Sequence, residues 1–149
     1  MMKTQAVQKF FHAYEKRIND ALANPGSMDR HAMTGDYTES FIEASPEGVQ
    51  VFHNDEQYAK ALLPAFEEQR RIGTQSMNIV SINTIAIDDL HVSATIHWMA
   101  IYKRRKDGKE IKIDFNETYL LHWIGNTPKI FAYIAGNEQG LLKQHGLID

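Results

Sequence analysis

One stretch of the sequence, LHVSATIHWMAIYKRRKDGKEIKIDFNETYLLHWI at residues 90–124, decides the fold. It contains two long runs with a period of two, separated by Asp107-Gly108. Alternation of this kind is typical of strands with one buried face, and Asp-Gly is a strong signal for a two-residue hairpin turn. The pattern therefore predicts antiparallel strands over Leu90–Arg105 and Lys109–Ile124.

A two-residue turn fixes which residues of the two strands lie opposite each other. Lys106 would pair with Lys109, and counting outward gives the partners Tyr102–Ile113, Ala100–Phe115, Trp98–Glu117, Ile96–Tyr119, Ala94–Leu121 and Val92–Trp123. All of these side chains share one face, which is apolar apart from Glu117. The opposite face is mainly polar, with Met99, Ile101 and Leu120 set into it. We expect helices on the apolar face, and solvent or a subunit interface on the other.

The residues before this hairpin predict helices. Apolar residues recur at intervals of three and four from Val7 to Leu22, and Asn24-Pro25-Gly26 ends that helix. Thr4 is the predicted N-cap of this first helix. Further helices are predicted from Ser27 to Thr34, from an N-cap at Asn54 to Gly73, and over Glu138–Ile148. Pro64 predicts an irregularity in the third helix. The remaining predicted strands are Tyr37–Ala44, Val49–Phe52, Gln75–Ile87 and Lys129–Gly136. This order predicts one α+β domain over residues 1–149, with helices packed on one face of a curved antiparallel sheet.

Composition excludes several classes of protein. The 149 residues carry a formal net charge of −3 and contain no cysteine. A strongly cationic nucleic-acid binder, a disulfide scaffold, a thiolate metal site and a cysteine nucleophile are therefore excluded. The N-terminus does not resemble a signal peptide, and no apolar run is long enough for a membrane span, so we expect a cytoplasmic protein without a membrane partner.

Glu117 is the exception on the apolar face. An ionised carboxylate among Trp98, Phe115 and Tyr119 is costly to bury. Either Glu117 reaches water at a cavity, or it has a partner, or its pKa is raised. Environments of this kind occur at acid/base sites. The sequence leaves two interpretations open: an edge position in contact with solvent, or an acid in a functional pocket.

The pattern resembles the nuclear transport factor 2-like superfamily, the cone-shaped, cystatin-like α+β fold of ketosteroid isomerases, SnoaL-like polyketide cyclases and scytalone dehydratase. The resemblance covers essentially the whole chain. It lies in the element order and in four loose motifs: Ile18-Asn19-Asp20-Ala21, Gly35-Asp36-Tyr37-Thr38, Ser45-Pro46-Glu47-Gly48 and Lys129-Ile130-Phe131-Ala132-Tyr133-Ile134. It implies a pocket between the concave sheet face and the helices, and a homodimer. The same fold hosts enzymes and non-catalytic binders, so it does not assign a function.

The match to ketosteroid isomerase is partial. Tyr14 resembles the tyrosine of the first helix that donates a hydrogen bond to the dienolate oxygen in that family. Ser45 stands where the family has its aspartate base, and a serine cannot abstract a proton from carbon without a base of its own. Glu43, two residues earlier, is a possible substitute, and Glu117 could act as the second acid.

The other polar residues give weaker signals. The seven histidines show no metal-ligand spacing, and we predict them at the surface or an interface. His97 would become a candidate acid/base group if the predicted register were wrong. The basic residues around Lys103–Lys109 are predicted to form a solvated hairpin tip, and no aromatic residues among them support nucleic-acid binding. We predict no metal site and no cofactor.

Two functional hypotheses follow. In the first, Glu117 or Glu43 moves a proton in a cofactor-independent isomerisation, cyclisation or dehydration of a small hydrophobic carbonyl compound, and Tyr14 stabilises the developing oxyanion. In the second, the chain is a non-catalytic module that binds a hydrophobic molecule or supports protein assembly. In both, we expect a mostly apolar pocket whose ligand-binding residues are Trp98, Tyr102, Phe115 and Tyr119.

Overall fold

The computed structural model describes residues 2–149 as a curved sheet with helices on its concave face. The helices are α1 (Met2–Ala23), α2 (Arg30–Thr34), α3 (Glu56–Arg71) and α4 (Glu138–Gln144), with a single 3-10 turn at Pro25–Ser27. The strands are β1 (Tyr37–Ser45), β2 (Gly48–His53), β3 (Thr74–Ala86), β4 (His91–Lys103), β5 (Glu110–Ile124) and β6 (Thr127–Ile134).

The six strands are ordered β2-β1-β6-β5-β4-β3. Neighbouring strands are antiparallel except for β1 and β6, whose parallel pairing brings the N-terminal hairpin beside the last strand. Register irregularities occur in the pairings of β1 with β6, β3 with β4 and β5 with β6. Such irregularities increase local bending and twist, so they help to curve the sheet around the helices. The predicted α+β architecture is confirmed; the parallel junction was not predicted.

The central hairpin has the predicted faces but a different register. Trp98 lies opposite Phe115, and Ile96 opposite Glu117, a shift of two residues from the predicted pairs. The loop is longer than predicted, since Gly108 N donates to Arg104 O at 2.7 Å and Arg104 N donates to Lys109 O at 2.8 Å. The Arg104 guanidinium also binds the Asp107 carboxylate, at 3.0 and 2.7 Å. A shift of two residues leaves every side chain on its predicted face, because the side-chain period of a strand is two.

The core lies between α1 and the concave face of β4 and β5. Successive residues of β4 alternate between half-buried and fully buried positions, as predicted for its two faces. Val7 and Phe11 of α1 are buried against Trp98, Tyr119 and other residues of the sheet. Burying these large apolar side chains supplies the main driving force for closing the helix onto the sheet.

Polar side chains fix α1 along the edge strand β3. The Asn19 amide donates to Met77 O at 2.8 Å and accepts from Met77 N at 2.9 Å. One helical turn earlier, the Glu15 carboxylate accepts from Ile79 N at 2.6 Å. These bonds satisfy backbone groups of the edge strand, and they hold the face of α1 that carries Tyr14 toward the interior.

Four predicted helix boundaries are wrong. Thr4 lies inside α1, which begins at Met2. The side chains of Asp29 and Asp55 cap α2 and α3, whereas Ser27 and Asn54 were predicted to do so. The last helix, α4, ends at Gln144 and not at Ile148.

Pro64 was predicted to cause an irregularity in the third helix. α3 continues through Pro64 to Arg71.

Candidate functional site

A cavity of about 430 Å³ lies between the concave face of the sheet and the helices. Side chains from α1 to α4 and from β1, β3, β4, β5 and β6 contribute to its wall. All six tyrosines of the chain are among them: Tyr14, Tyr37, Tyr58, Tyr102, Tyr119 and Tyr133. The cavity is therefore rich in hydroxyl groups carried on aromatic rings, and its size suits a small organic ligand.

Two of these tyrosines form a hydrogen-bonded pair. The Tyr14 and Tyr37 hydroxyl oxygens are 2.7 Å apart. Burial raises the pKa of both phenols well above the ordinary value. Both hydroxyls therefore stay protonated across the ordinary pH range. Because only one proton is needed between them, the second is free to be donated to a ligand oxygen.

Glu117 enters the same cavity from β5. Burial raises the pKa of its carboxyl from 4.5 to about 8, and the negative charges of Glu138 and Glu43 add to the rise. The nearby Tyr119 hydroxyl acts in the opposite direction. At neutral pH this side chain is therefore a protonated acid, able to donate a hydrogen bond or a proton.

A second carboxyl group, that of Glu43 on β1, faces the cavity in a different environment. Its Oε2 accepts a hydrogen bond from the Tyr133 hydroxyl. Burial, and this hydrogen bond, raise the pKa of the Tyr133 phenol, which therefore remains a donor to Glu43. The bond orients the carboxylate, and a positioned carboxylate is a suitable proton acceptor.

The aromatic wall is formed by the residues predicted to bind a ligand. Trp98 is fully buried, and its indole N–H donates to the Tyr119 hydroxyl at 3.3 Å. Tyr119 also contacts the ring of Tyr14, with ring centroids 6.0 Å apart in an edge-to-face arrangement. Phe115 and Tyr102 extend the wall toward α4, and burial raises the pKa of Tyr102 to about 12.

A partly buried ion pair lies in another part of the wall. Arg17 of α1 binds Asp36, which precedes β1, through Nη2 at 2.5 and 2.6 Å and through Nε at 3.1 Å. Burial raises the pKa of Asp36, whereas the Arg17 guanidinium acts to lower it. The pair joins the first helix to the start of the first strand, beside the tyrosine pair.

The histidines do not contribute to the cavity wall in the part of the chain that the structure describes. His97 remains on the outer sheet face, where its Nε2 lies 3.0 Å from Asp114 Oδ1. His91 and His122 lie together on that face, 3.1 Å apart between ring nitrogens. Among residues 2–149, no set of three or more histidine, aspartate or glutamate side chains is arranged to hold a metal ion.

All seven predicted site residues lie in the wall of this one cavity. They are Tyr14, Glu43 and Glu117, predicted as catalytic, and Trp98, Tyr102, Phe115 and Tyr119, predicted to bind a ligand. Their roles stay predictions, since a shared cavity does not establish a reaction.

Sequence reasoning missed Tyr37, Tyr133, Glu138 and the Arg17–Asp36 pair. Tyr133 was not predicted because the irregular pairing of β5 with β6 breaks the alternation that would have assigned its side chain to the concave face. Glu138 was not predicted because it follows the last strand, where the two-residue alternation of side chains no longer applies. Tyr37 and Asp36 stand in the Gly35-Asp36-Tyr37-Thr38 motif, which by itself indicates no role in a site.

No helix within the described range 2–149 is long and apolar enough to cross a lipid bilayer.

Comparison with known proteins supports the fold. A family profile described as NTF2-like protein (DUF6841) matches residues 4–138. A search of curated proteins returned no match.

Several solved structures share the fold at low sequence identity. An NTF2-like protein with a cystatin-like fold from Novosphingobium aromaticivorans aligns with a TM-score of 0.67 at 9% identity, covering 99% of this chain and 89% of that one. A structure described as a putative scytalone dehydratase from the same organism aligns with a TM-score of 0.64 at 10% identity, covering 88% of this chain and 80% of that one. A ketosteroid isomerase-like protein from Erwinia carotovora atroseptica aligns with a TM-score of 0.59 at 14% identity, covering 89% of this chain and 91% of that one.

At these identities the structural likeness concerns the fold alone. The family match spans most of the sequence and agrees with the order of helices and strands. The chain therefore belongs to the NTF2-like protein family DUF6841.

Proposed function

We propose that this chain is a cofactor-independent acid/base catalyst that acts on a small hydrophobic carbonyl compound in the cavity. The observation that carries the proposal is Glu117, whose pKa is raised to about 8 in a cavity that also holds the oriented carboxylate of Glu43. Two carboxyl groups in different environments can serve as acid and base at the same pH.

The proposed step is the enolisation of the carbonyl compound. Glu43 accepts a proton from the carbon next to the carbonyl, and the electron pair of that C–H bond forms a carbon–carbon double bond. The carbonyl π electrons move onto oxygen, where Tyr14 donates a hydrogen bond and Glu117 supplies a proton. In a β,γ-unsaturated compound, Glu43 returns the proton to the γ-carbon while the enol O–H proton returns to Glu117, which completes an isomerisation. In a β-hydroxy compound, the hydroxyl leaves as water with the proton that Glu43 carries, and the enol O–H proton returns to Glu117, which completes a dehydration.

Tyr14 has the role of a preorganised donor. Its hydroxyl is fixed by Tyr37 at 2.7 Å, and its ring is held by Tyr119 and Trp98. A donor that needs no reorientation stabilises a developing oxyanion by several kcal/mol in a site shielded from water.

The test is proton exchange, which does not require the natural product to be known. A panel of small ketones and enones would be incubated with the protein in D2O, and deuterium at the α-carbon followed by NMR. We expect catalysed exchange with at least one aromatic or cyclic member, and its loss in Glu43→Gln. Glu39→Gln is the matched control, since Glu39 is an exposed residue of the same strand. Exchange equal to that in buffer across the panel would contradict the proposal.

A second candidate function is non-catalytic binding of a small hydrophobic molecule. Ser45 favours it, because this residue lines the cavity at the position where the isomerase resemblance would place an aspartate base. Saturable ligand binding without α-proton exchange in any variant would support this alternative.

We also propose a homodimer formed through the outer sheet face. Half-buried apolar side chains lie there between polar ones: Met99, Ile101, Leu120 and Phe131. Sedimentation equilibrium of the wild type and of Leu120→Lys tests this proposal, with a dimer expected for the first and a monomer for the second. The cytoplasmic location, and the expected lack of a nucleic-acid partner, stay predictions.

A further inference from the structure

The cavity carries an excess of acidic groups. Its wall includes one arginine and five carboxylic acids, which are Asp36, Glu43, Glu47, Glu117 and Glu138. Within the described residues, neither lysine nor histidine contributes to this wall. A cleft lined by charges of one sign attracts ligands of the opposite sign, because low-dielectric walls concentrate the field.

The one cationic group of the wall is already neutralised. Both oxygens of Asp36 accept hydrogen bonds from the Arg17 guanidinium, at distances of 2.5–3.1 Å. Bidentate pairing of this kind is strong and geometrically fixed, so Arg17 is not free to hold an anionic ligand. Apart from Glu117, which is protonated at neutral pH, the remaining carboxyl groups of the wall are those of Glu43, Glu47 and Glu138, and no other cationic side chain stands among the described lining residues.

These carboxyl groups affect one another through the cavity. Burial is the main cause of the raised pKa of both Glu117 and Glu138; the charges of Glu138 and Glu43 add to the rise at Glu117, and the charge of Glu43 adds to the rise at Glu138. Carboxyl groups that repel one another at a shared site are stabilised when a cation lies between them. They do not converge closely enough to chelate a metal ion among the described residues. A larger, more diffuse cation therefore fits this arrangement better than a metal ion.

The rest of the wall suits such a cation. Six tyrosines and Trp98 present aromatic rings to the cavity. Aromatic faces attract ammonium groups through their quadrupole, and cages of aromatic rings recognise alkylated ammonium ions. The combination of aromatic rings with facing carboxylates distinguishes this cavity from a purely apolar pocket.

We propose that the substrate of this cavity is an amine: an apolar molecule that carries one positively charged ammonium group together with its reactive carbonyl. The inference rests on the proposed function in taking this cavity as the substrate site. It adds that the acidic excess and the aromatic wall together select the charge of the ligand.

The experiment compares three probes of one shape and different charge. Choline is the cation, 3,3-dimethylbutan-1-ol is its neutral isostere, and 3,3-dimethylbutanoate is an anion of nearly the same shape. Binding to the full chain is measured by NMR chemical-shift titration at constant ionic strength. We expect choline to bind at least about tenfold more tightly than the neutral isostere, and the anion to bind least.

Variants locate the effect in the cavity. Glu43→Gln and Glu138→Gln should each reduce the preference for choline over its neutral isostere, whereas Glu39→Gln should leave it unchanged. The readout is the ratio of the two affinities. A change in cavity shape that weakens the binding of both ligands equally leaves this ratio unchanged. Circular dichroism confirms that each variant is folded.

The two proposals fail separately. Equal affinity for choline and its neutral isostere, or no choline binding at millimolar concentrations, overturns the inference whatever the exchange assay shows. A choline preference that survives in both glutamine variants also overturns it. A choline preference that both variants reduce, without α-proton exchange, supports the selection of a cationic ligand by this cavity and contradicts acid/base catalysis.

Discussion

The hydroxyl oxygens of Tyr14 and Tyr37 lie 2.7 Å apart in the wall of the cavity, one on α1 and the other at the start of β1. The pair joins the helix layer to the sheet, and the Tyr14 ring packs against the rings of Trp98 and Tyr119. Because burial keeps both phenols protonated, the pair always has one proton to offer a ligand. This donor and the acid Glu117 lie in the wall of the same cavity.

Removal of the Tyr14 hydroxyl should affect the chemistry more than the fold. In Tyr14→Phe the ring contacts remain, but the donor to the oxyanion is lost. We expect α-proton exchange to fall by more than about tenfold. The unfolding midpoint should fall only slightly, since the change deletes one hydrogen bond. Glu39→Gln, at an exposed position of β1 outside the cavity wall, is the control and should retain most of the exchange activity. Equal effects of the two substitutions would contradict the role of Tyr14.

Glu117 should make the stability of the protein depend on pH. The unfolded chain releases this proton near pH 4.5, whereas the folded chain keeps it until about pH 8. The folded-state pKa is raised, so its contribution to stability is complete below pH 4.5 and is lost as the pH rises to about 8. Glu117→Gln does not titrate. It should therefore be more stable than the wild type at pH 9, by about 2–4 kcal/mol, and similar to it at pH 4.

Chemical denaturation at several pH values measures this difference. Glu39→Gln serves as control, because its carboxyl group is exposed on the same sheet and its removal should change stability little at any pH. A stability difference between Glu117→Gln and the wild type that stays constant from pH 4 to pH 9 would show that Glu117 titrates normally.

Gly73 is required where α3 meets β3. Its φ is +100°, and an added Cβ would lie 2.1 Å from the backbone oxygen of Lys103. Lys103 N donates to Gly73 O at 2.8 Å, so the two backbones cannot separate without losing a bond. Gly73→Ala should cost about 3 kcal/mol or more of unfolding free energy.

Gly48 provides the matched comparison. Its φ of +126° is equally unfavourable for alanine, but a Cβ there meets no atom within 4 Å. Gly48→Ala should therefore cost only about 1–2 kcal/mol. If the two alanine variants had the same unfolding free energy, the backbone contact at Gly73 would be irrelevant to stability.

The ion pair between Arg17 and Asp36 should stabilise the start of β1. Asp36→Asn leaves the partly buried guanidinium without its counter-charge, and we expect a loss of about 2–4 kcal/mol in the free energy of unfolding. The double variant Arg17→Met/Asp36→Leu should recover part of this loss, because no uncompensated charge remains. Urea denaturation of the wild type, Arg17→Met, Asp36→Leu and the double variant gives the coupling energy; a double variant as unstable as the sum of the two single changes would indicate no interaction.

The central hairpin shows how much of the fold was predictable. The alternation in residues 90–124 correctly placed Trp98, Tyr119 and Glu117 on the concave face. Asp107-Gly108 suggested a two-residue turn, but the bidentate contact of Arg104 with Asp107 stabilises a longer loop and shifts the register by two. The length of a turn depends on such side-chain contacts, and the alternation of apolar and polar residues along the strands does not reveal them.

The candidate site was predictable where strand period applies. Glu117 was conspicuous as a carboxylate on an apolar face, and Tyr14 lay on the apolar stripe of its helix. Tyr133 and Glu138 were not predictable in this way, because an irregular pairing places one and the connection after β6 places the other. The parallel pairing of β1 with β6, which brings Glu43 beside Tyr133, is a long-range contact that no local pattern reports.

The most direct test of the account is the titration of Glu117 in the intact protein. Carboxyl-labelled glutamate would be followed by ¹³C NMR from pH 4 to pH 10, with Glu117→Gln used to assign the resonance. We expect this carboxyl to remain protonated at pH 7 and to lose its proton at about pH 8. A Glu117 resonance that titrates near pH 4.5 would contradict the central claim, because the cavity would then hold no protonated acid at neutral pH.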